Sequence, residues 1–249
     1  MKKPFRWYLG YDPREEIAYQ VAEFSLKRHS SIPLEIIPIS STHPFYKRTW
    51  HYTGAQKIDN IDSRPFSTDF AFARFLIPVI ENYEGWVGFS DCDFLFRADI
   101  AELLTQINDD YAVMCVFHNF WPQSPIKMDG MAQQAYFRKC WSSFVLWNCQ
   151  HPANAWLTPD VVNRVTGNEL HTFSWLREGL IGELPEEWNW LCGHSARSIK
   201  PKAIHYTEGG PWMTYRQNVD YRDEWLAEKA LMESEQSKSI EPTSSQANA

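Results

Sequence analysis

The first forty residues constrain the fold more than any other part of the sequence. Residues 5–11, FRWYLGY, predict a short buried strand, and residues 34–40, LEIIPIS, predict a second one. Between them Asp12 can cap a helix, Pro13 suits its first turn, and apolar residues follow at helical spacing. A strand, a helix and a strand in this order favour a parallel sheet. We therefore expect an α/β domain with a mixed, mainly parallel sheet flanked by helices.

The alternation of strands and helices continues along the chain. A capped helix is predicted over residues 67–83, with Pro78 kinking or ending it, and strands over residues 85–96, 111–118 and 141–149. Short helices are predicted over residues 158–167 and 171–179, with Gly167 and Gly179 as their stops. A terminal helix is predicted over residues 220–235. We expect one domain over residues 1–234 and a disordered polar tail over residues 235–249.

Composition and charge exclude several classes of protein. With 249 residues and 44% hydrophobic content, the chain can bury a substantial core. Its formal net charge of −7 argues against a nucleic-acid partner, which requires a basic face. No two of its five cysteines have the spacing of a zinc or dithiol motif. No run approaches the roughly 20 apolar residues of a membrane span, so we expect a cytoplasmic protein without a transmembrane segment.

Two aspartates, Asp91 and Asp93, interrupt the apolar segment GFSDCDFLF. Side chains alternate along a strand, so the two carboxylates are predicted to point the same way. Two close, poorly solvated carboxylates repel each other, and a divalent cation removes that cost. Mg²⁺ and Mn²⁺ prefer such oxygen ligands. The alternative is that one aspartate caps the following helix while the other is exposed to solvent.

His205 is the best candidate for a third metal ligand. It follows the strand-like residues KPKAI and precedes Gly209 and Gly210, which allow a backbone to approach a phosphate closely. A purely structural histidine is the alternative at this position.

Four segments in order resemble the glycosyltransferases of the GT-A fold, which is Rossmann-like. They are the N-terminal strand, glycine and helix; FARFLIP with Arg74; DCDFLFRADIAEL; and HYTEGGPW. The resemblance extends over residues 5–212, and the groups it indicates are the glycogenin-like and lipopolysaccharide galactosyltransferase-like enzymes. It implies a metal-dependent hexosyltransferase that takes a nucleotide-sugar donor, with UDP-sugar favoured. It also implies transfer with retention to a glycan, a glycolipid or another hydroxyl acceptor.

The resemblance also implies roles for individual residues. Asp91, Asp93 and His205 would hold Mn²⁺ or Mg²⁺. Catalytic roles would fall to Asp93, Arg74 and Asn148. Nucleotide contacts would come from Gly10, Tyr11, Arg14, Arg74, Ser90, Asp91, Cys92, Gly209 and Gly210. Donor-sugar contacts would come from Lys127, Trp141, Ser142, Ser143, Asn148 and Glu187. The family has a lysine before its late Pro-Trp, where this chain has Gly210, and Lys202, Arg14 or Lys127 are the candidates to replace it.

Two questions stay open at the level of sequence. An inverting enzyme would need a carboxylate base, for which Glu186, Glu187 and Asp160 are candidates, whereas a retaining enzyme would not. The acidic pair is also compatible with a haloacid-dehalogenase-type phosphatase or a sugar nucleotidyltransferase. A non-catalytic carbohydrate-binding protein would explain the tryptophans but not the acidic pair.

Overall fold

A computed structural model of the protein describes residues 3–119 and 137–240. The strands are β1 (Phe5–Gly10), β2 (Leu34–Ile39), β3 (Trp50–Thr53), β4 (Gln56–Asp59), β5 (Pro65–Phe66), β6 (Trp86–Ser90), β7 (Phe94–Phe96), β8 (Val113–Cys115), β9 (Phe144–Asn148), β10 (Ile181–Glu183), β11 (Trp190–Leu191) and β12 (Ala203–His205). The α-helices are α1 (Glu16–His29), α2 (Ile77–Ile80), α3 (Ile100–Leu104), α4 (Pro159–Val162), α5 (Gly167–His171) and α6 (Arg222–Ile240).

The main sheet of the described residues has six strands in the order β10-β8-β9-β6-β1-β2. β1 is parallel to both β2 and β6, and β10 is parallel to β8. β9 is antiparallel to both of its neighbours, β6 and β8. The sheet is therefore mixed and mainly parallel. This confirms the fold class predicted from the β-α-β opening.

Two smaller sheets flank the main one in the described residues. β7, β12 and β11 form one, in which β12 is antiparallel to β7 and Phe94 is opposite His205. β3, β4 and β5 form an antiparallel sheet in a region whose sequence has weak periodicity. The first of these sheets matters most for the site, because it joins two segments that are distant in sequence.

Apolar side chains cover both faces of the main sheet. Along β9, Val145 and Trp147 belong to one buried cluster, while Phe144 and Leu146 belong to another. Since side chains alternate along a strand, these clusters lie on opposite faces. Fully burying one such side chain contributes about 1.5–3 kcal/mol. The faces are therefore occupied by core, and the ends of the strands are left for a site.

The helix predicted over residues 67–83 is much shorter in the structure. Only a 3-10 turn, Ala73–Leu76, and α2 are helical there. Pro78 lies in the first turn of α2, where its missing N–H costs nothing, so it starts a helix instead of ending one. The preceding residues, which include Phe70 and Phe72, bury their rings without forming a helix.

The two short helices predicted between residues 158 and 179 also need correction. Gly167 is the first residue of α5 and not a stop. Thr166 and Glu169 form a reciprocal capping box that fixes this start. Residues 172–175 form turns, so the helix predicted over residues 171–179 is wrong.

The terminal helix is longer than predicted. α6 runs to Ile240, into the segment expected to begin a disordered tail. Its residues are mostly good helix formers, and it is held by buried Trp225 and Met232 and by a bidentate contact between Arg28 and Glu228. The rest of the predicted tail lies outside the described residues. Within them no helix is both long enough and apolar enough to cross a bilayer.

Candidate active site

β6 carries the acidic pair to the carboxyl end of the main sheet. The strand ends at Ser90, and the N–H of Asp91 donates to the carbonyl of Ser143 at 2.9 Å. After Asp93 the chain enters β7 of the second sheet, so the single strand predicted over residues 85–96 is two strands. In open α/β sheets this edge is where ligands bind.

Asp91, Asp93 and His205 come together in the structure. Each offers one ligand atom, and these atoms all lie within 4.8 Å of one another. His205 Nε2 is 3.3 Å from an oxygen of Asp93, and both side chains are buried. The pairing of β7 with β12 produces this contact, because it sets Phe94 opposite His205 and leaves Asp93 beside it.

The donor set fits a divalent cation. Carboxylate oxygens suit Mg²⁺ and Mn²⁺, and an imidazole nitrogen is a common ligand of transition ions. Asp93 is buried and Asp91 is largely so, and this makes the repulsion between two carboxylates costly at this place. A cation between them would remove that cost.

Arg74 already compensates part of this charge. Its Nη1 is 2.6 Å from an oxygen of Asp91 and donates to the carbonyl of Ser142 at 2.8 Å. The guanidinium lies over the rings of Phe70 and Phe89, at 5.2 and 4.8 Å from their centroids. Arg74 is therefore held beside the cluster, where it pairs with Asp91, one of the three residues predicted to bind the metal.

A cleft opens above the cluster. Six predicted residues line it: Arg74, Asp91, Asp93, Ser142, Ser143 and His205. Its walls come from the end of the β3–β5 sheet, from α5 and from the segment before β9. The other lining residues include Glu15, Asp62, Arg64, Phe70, Phe72, Lys139, Asn168, His171 and Thr207.

Asn148 does not lie at this site. β9 is antiparallel to β6, so its first residue, Phe144, pairs with Ser90, and Asn148 pairs with Trp86 at the opposite end of both strands. Its side chain is buried and donates to the carbonyl of Tyr111 at 2.9 Å. The catalytic and donor-sugar roles expected for Asn148 are therefore corrected to a structural one.

Two of the cations considered as replacements for the family's lysine at position 210 form ion pairs away from the cleft. Arg14 makes a bidentate contact with Asp12 and also donates to the carbonyl of Ser67. Lys202 lies between Glu102 and Glu187, at 3.0 and 3.3 Å. Neither cation lines the cleft, and neither does Glu187, which was expected at the donor sugar. Lys127 lies outside the described residues.

Ser90 and Cys92 are buried supports of the acidic pair. The indole of Trp7 donates to Ser90 Oγ at 3.1 Å. The Cys92 thiol donates to Glu15 at 3.6 Å, and burial raises its pKa well above the ordinary value. Neither side chain faces the cleft, so any nucleotide contact from these positions would come from the backbone.

Three other predicted residues, Gly10, Tyr11 and Trp141, do not line the cleft. Gly10 is packed so tightly that an added Cβ would be 2.6 Å from the ring of Phe70. Tyr11 lines a second pocket together with Tyr19, Ser40 and His43. Trp141 stacks on Phe117 with ring centroids 4.2 Å apart.

Gly209 and Gly210 shape the loop after β12. Gly209 has a left-handed φ of 99°, and its N–H donates to the carbonyl of Tyr206. A Cβ on Gly210 would be 2.0 Å from the ring of Trp212. Both glycines are thus required by the turn itself, and Thr207 is the loop residue that lines the cleft.

Sequence reasoning missed several residues of the site. Glu15 is a buried acid in the cleft floor, and Lys139 and His171 line the walls. Asn189 is fully buried and contacts His205 at 2.9 Å. No local pattern distinguishes these residues, because each reaches the site through a connection distant in sequence.

Comparison with known proteins identifies a related protein of similar length. No protein-family model matches the sequence. Protein CDI of Arabidopsis thaliana is 46% identical over 232 residues, which cover 91% of this chain and 86% of that protein. Such identity over almost the whole chain shows a common family.

Solved structures of glycosyltransferases share the fold at low identity. The bifunctional enzyme WbbM has a TM-score of 0.62 at 18% identity, over 92% of this chain and 50% of its own. GlyE of Streptococcus pneumoniae has 0.60 at 17%, over 98% of this chain and 66% of its own. The galactosyltransferase LgtC has 0.56 at 12%, over 91% of this chain and 96% of its own. The chain thus spans less than two thirds of the first two. It belongs to the family of Protein CDI and has a divergent form of the GT-A glycosyltransferase fold.

Proposed function

We propose that this protein is a metal-dependent glycosyltransferase that moves a sugar from a nucleotide-sugar donor to a hydroxyl group of a glycan or glycolipid. The cluster of Asp91, Asp93 and His205 carries the proposal, because it lies in a cleft at the carboxyl end of β6. The similarity to GT-A glycosyltransferase structures gives independent support, because it is a similarity of the whole backbone and does not depend on these three side chains.

The reaction breaks the bond between the anomeric carbon of the sugar and a nucleoside diphosphate, and negative charge grows on the departing diphosphate. A divalent ion at the cluster would supply Lewis-acid stabilisation of that charge. Asp91, Asp93 and His205 would hold the ion, and Arg74 would keep Asp91 in place. The single imidazole of the donor set favours Mn²⁺ over Mg²⁺.

Lys139 is the best replacement for the missing diphosphate lysine. It lines the same cleft as the metal cluster. The next residue, Cys140, approaches Thr207 in the loop after β12, with Sγ 3.7 Å from the threonine hydroxyl. The lysine is therefore attached to the segment that packs against the glycine loop, where a diphosphate is expected.

Retention and a UDP-sugar donor remain parts of the proposal. None of the three carboxylates considered as an inverting base, Glu186, Glu187 and Asp160, lines the cleft. Glu15 and Asp62 do line the cleft, so these positions alone do not decide between inversion and retention, and retention is favoured by the resemblance of the sequence motifs. UDP is favoured by the resemblance of the sequence motifs alone.

The test is release of nucleoside diphosphate from a panel of UDP-, GDP- and other nucleotide sugars, with Mn²⁺, with Mg²⁺ and with chelator. Wild type, Asp93→Asn and the matched surface variant Asp223→Asn would be compared, since Asp223 lies on an exposed part of α6. We expect Mn²⁺-dependent release by wild type and Asp223→Asn, and at least about 100-fold less by Asp93→Asn.

Two results would contradict the proposal. Equal turnover in chelator and in Mn²⁺ would remove the metal from the mechanism. Release of inorganic phosphate from simple phosphoesters, with no reaction of nucleotide sugars, would favour the phosphatase alternative.

A further inference from the structure

The imidazole of His205 is held on two sides by neighbours that are not metal ligands. The ring of Phe94 stacks on it, with centroids 4.5 Å apart and planes 17° from parallel. Its Nδ1 is 2.9 Å from Oδ1 of Asn189, at the edge opposite the cluster. Phe94 therefore limits the tilt of the ring, and Asn189 limits its rotation.

The contacts of Asn189 with Ser143 and Cys140 determine which way its amide faces. Ser143 Oγ lies 2.6 Å from the carbonyl of Cys140 and donates its proton there. The Ser143 oxygen is then an acceptor, 3.1 Å from Nδ2 of Asn189, and the Cys140 carbonyl is a second acceptor at 3.4 Å. Turning the amide over would set its oxygen against two acceptors. Nδ2 therefore faces Ser143, and Oδ1 faces His205.

A carbonyl oxygen only accepts hydrogen bonds, so the His205 nitrogen facing it must carry a proton. In the neutral imidazole the other nitrogen, Nε2, then has the lone pair, and Nε2 is the atom 3.3 Å from Asp93. A metal ligand needs that lone pair. The chain of contacts from Cys140 through Ser143 and Asn189 thus sets the tautomer that ligation requires.

We propose that Asn189 is a positioning residue that holds the proton on Nδ1 of His205 and aims the Nε2 lone pair at the metal position. The inference rests on the proposed function for its purpose, because it concerns the metal that the reaction would use. The proton position itself is a property of the protein without metal and is measured separately.

The experiment compares two substitutions of opposite character. Asn189→Leu removes the acceptor at similar volume. Asn189→Asp keeps an acceptor for Nδ1–H but loses the donor to Ser143 and Cys140, so it disturbs the buried network more. A positioning role therefore predicts that Asp preserves the function of His205 better than Leu, whatever the order of their stabilities. Asn154→Leu is the matched control, because Asn154 is another fully buried asparagine with carbonyl partners and does not line the cleft.

The first readout is the tautomer of His205, obtained by ¹⁵N NMR of histidine-labelled protein without metal. It is recorded at about pH 9, well above the ordinary histidine pKa of about 6.5, so that the neutral ring is observed. We expect the proton on Nδ1 in wild type, Asn189→Asp and Asn154→Leu, and a mixture of tautomers in Asn189→Leu. A wild-type ring with its proton on Nε2 would overturn the proposal without any variant.

The second readout is affinity for Mn²⁺ itself, measured by titration calorimetry. We expect Asn189→Leu to weaken binding by about 10- to 100-fold, the range typical for loss of an outer partner of a metal ligand. Asn189→Asp and Asn154→Leu should stay within about threefold of wild type. Unchanged affinity and tautomer in Asn189→Leu would overturn the proposal. If wild type bound no Mn²⁺, the proposed function would fail, and the tautomer data would still decide the role of Asn189.

Discussion

Arg74 shows how one buried charge can serve both the fold and the site. It pairs with Asp91 and is nearly excluded from solvent. Removing one partner of such a pair leaves the other uncompensated, which typically costs about 3–5 kcal/mol. In this protein a metal ion would be a second source of positive charge for Asp91.

Arg74→Met should therefore lower the free energy of unfolding by about 3 kcal/mol in chelator, and Mn²⁺ should restore part of that loss. Urea unfolding with and without Mn²⁺ measures both effects. Arg164→Met breaks an exposed pair with Asp160 and should change stability by less than about 1 kcal/mol, with no response to Mn²⁺. If Mn²⁺ raised the free energy of unfolding equally in Arg74→Met and in wild type, Arg74 and the metal would not both compensate the charge of Asp91.

Lys139 gives a second prediction at this scale. Lys139→Gln should weaken the binding of UDP in the presence of Mn²⁺ by about tenfold, since one contact between a cation and a phosphate is worth roughly 1.4 kcal/mol. Lys200→Gln removes the same charge from an exposed position and is the control. If both variants bind UDP like wild type, the diphosphate cation is another residue.

At the scale of elements, the two ends of β9 have different functions. Its start adjoins the cleft through Ser142 and Ser143, whereas its end is held by the amide of Asn148. An antiparallel strand reverses which end faces the ligand edge, and this explains why Asn148 is far from the acidic pair.

Asn148→Ala should reduce stability and leave the chemistry of the folded protein intact. Loss of its buried hydrogen bond to Tyr111 is expected to cost about 1–3 kcal/mol. Urea unfolding would measure the cost, and kcat/KM per folded molecule at low temperature would measure the chemistry. A large fall in kcat without loss of stability would return Asn148 to the catalytic group.

The connection between β1 and α1 gives a pH dependence. Burial opposes ionisation of Asp12, but hydrogen bonds from Arg14 and from the Asp69 N–H more than offset it, so the pKa lies below its ordinary value. A lowered folded-state pKa adds stability above the ordinary aspartate pKa of about 3.9, and that stability is lost as pH falls through the folded value. The free energy of unfolding of Asp12→Asn should therefore fall less steeply than that of wild type below about pH 4. Urea unfolding at several pH values measures this. If Asp12→Asn lost stability with falling pH as steeply as wild type, Asp12 would not contribute to the acid sensitivity.

At the scale of the whole molecule, the metal ligands exist as a set only in the folded state. Asp93 and His205 meet through the pairing of β7 with β12, and Asp91 is fixed by Arg74 and by the carbonyl of Ser143. Binding to the folded state alone raises the free energy of unfolding. Mn²⁺ at about 100 times its dissociation constant should add about 2.7 kcal/mol, and Asp93→Asn should abolish the gain. Thermal unfolding at several Mn²⁺ concentrations tests this, and a gain that persists in Asp93→Asn would point to a different site.

The sequence by itself determined the α/β class, the acidic pair after β6 and the histidine at the end of β12. It could do so because strand periodicity, helix caps and a costly pair of charges are local signals. Only the tertiary structure decided that β9 runs antiparallel, that Arg14 and Lys202 are committed to carboxylates, and that Asn189, Lys139 and Glu15 surround the cluster. These features depend on strand pairing and on contacts between distant segments, for which a single sequence carries no local signature.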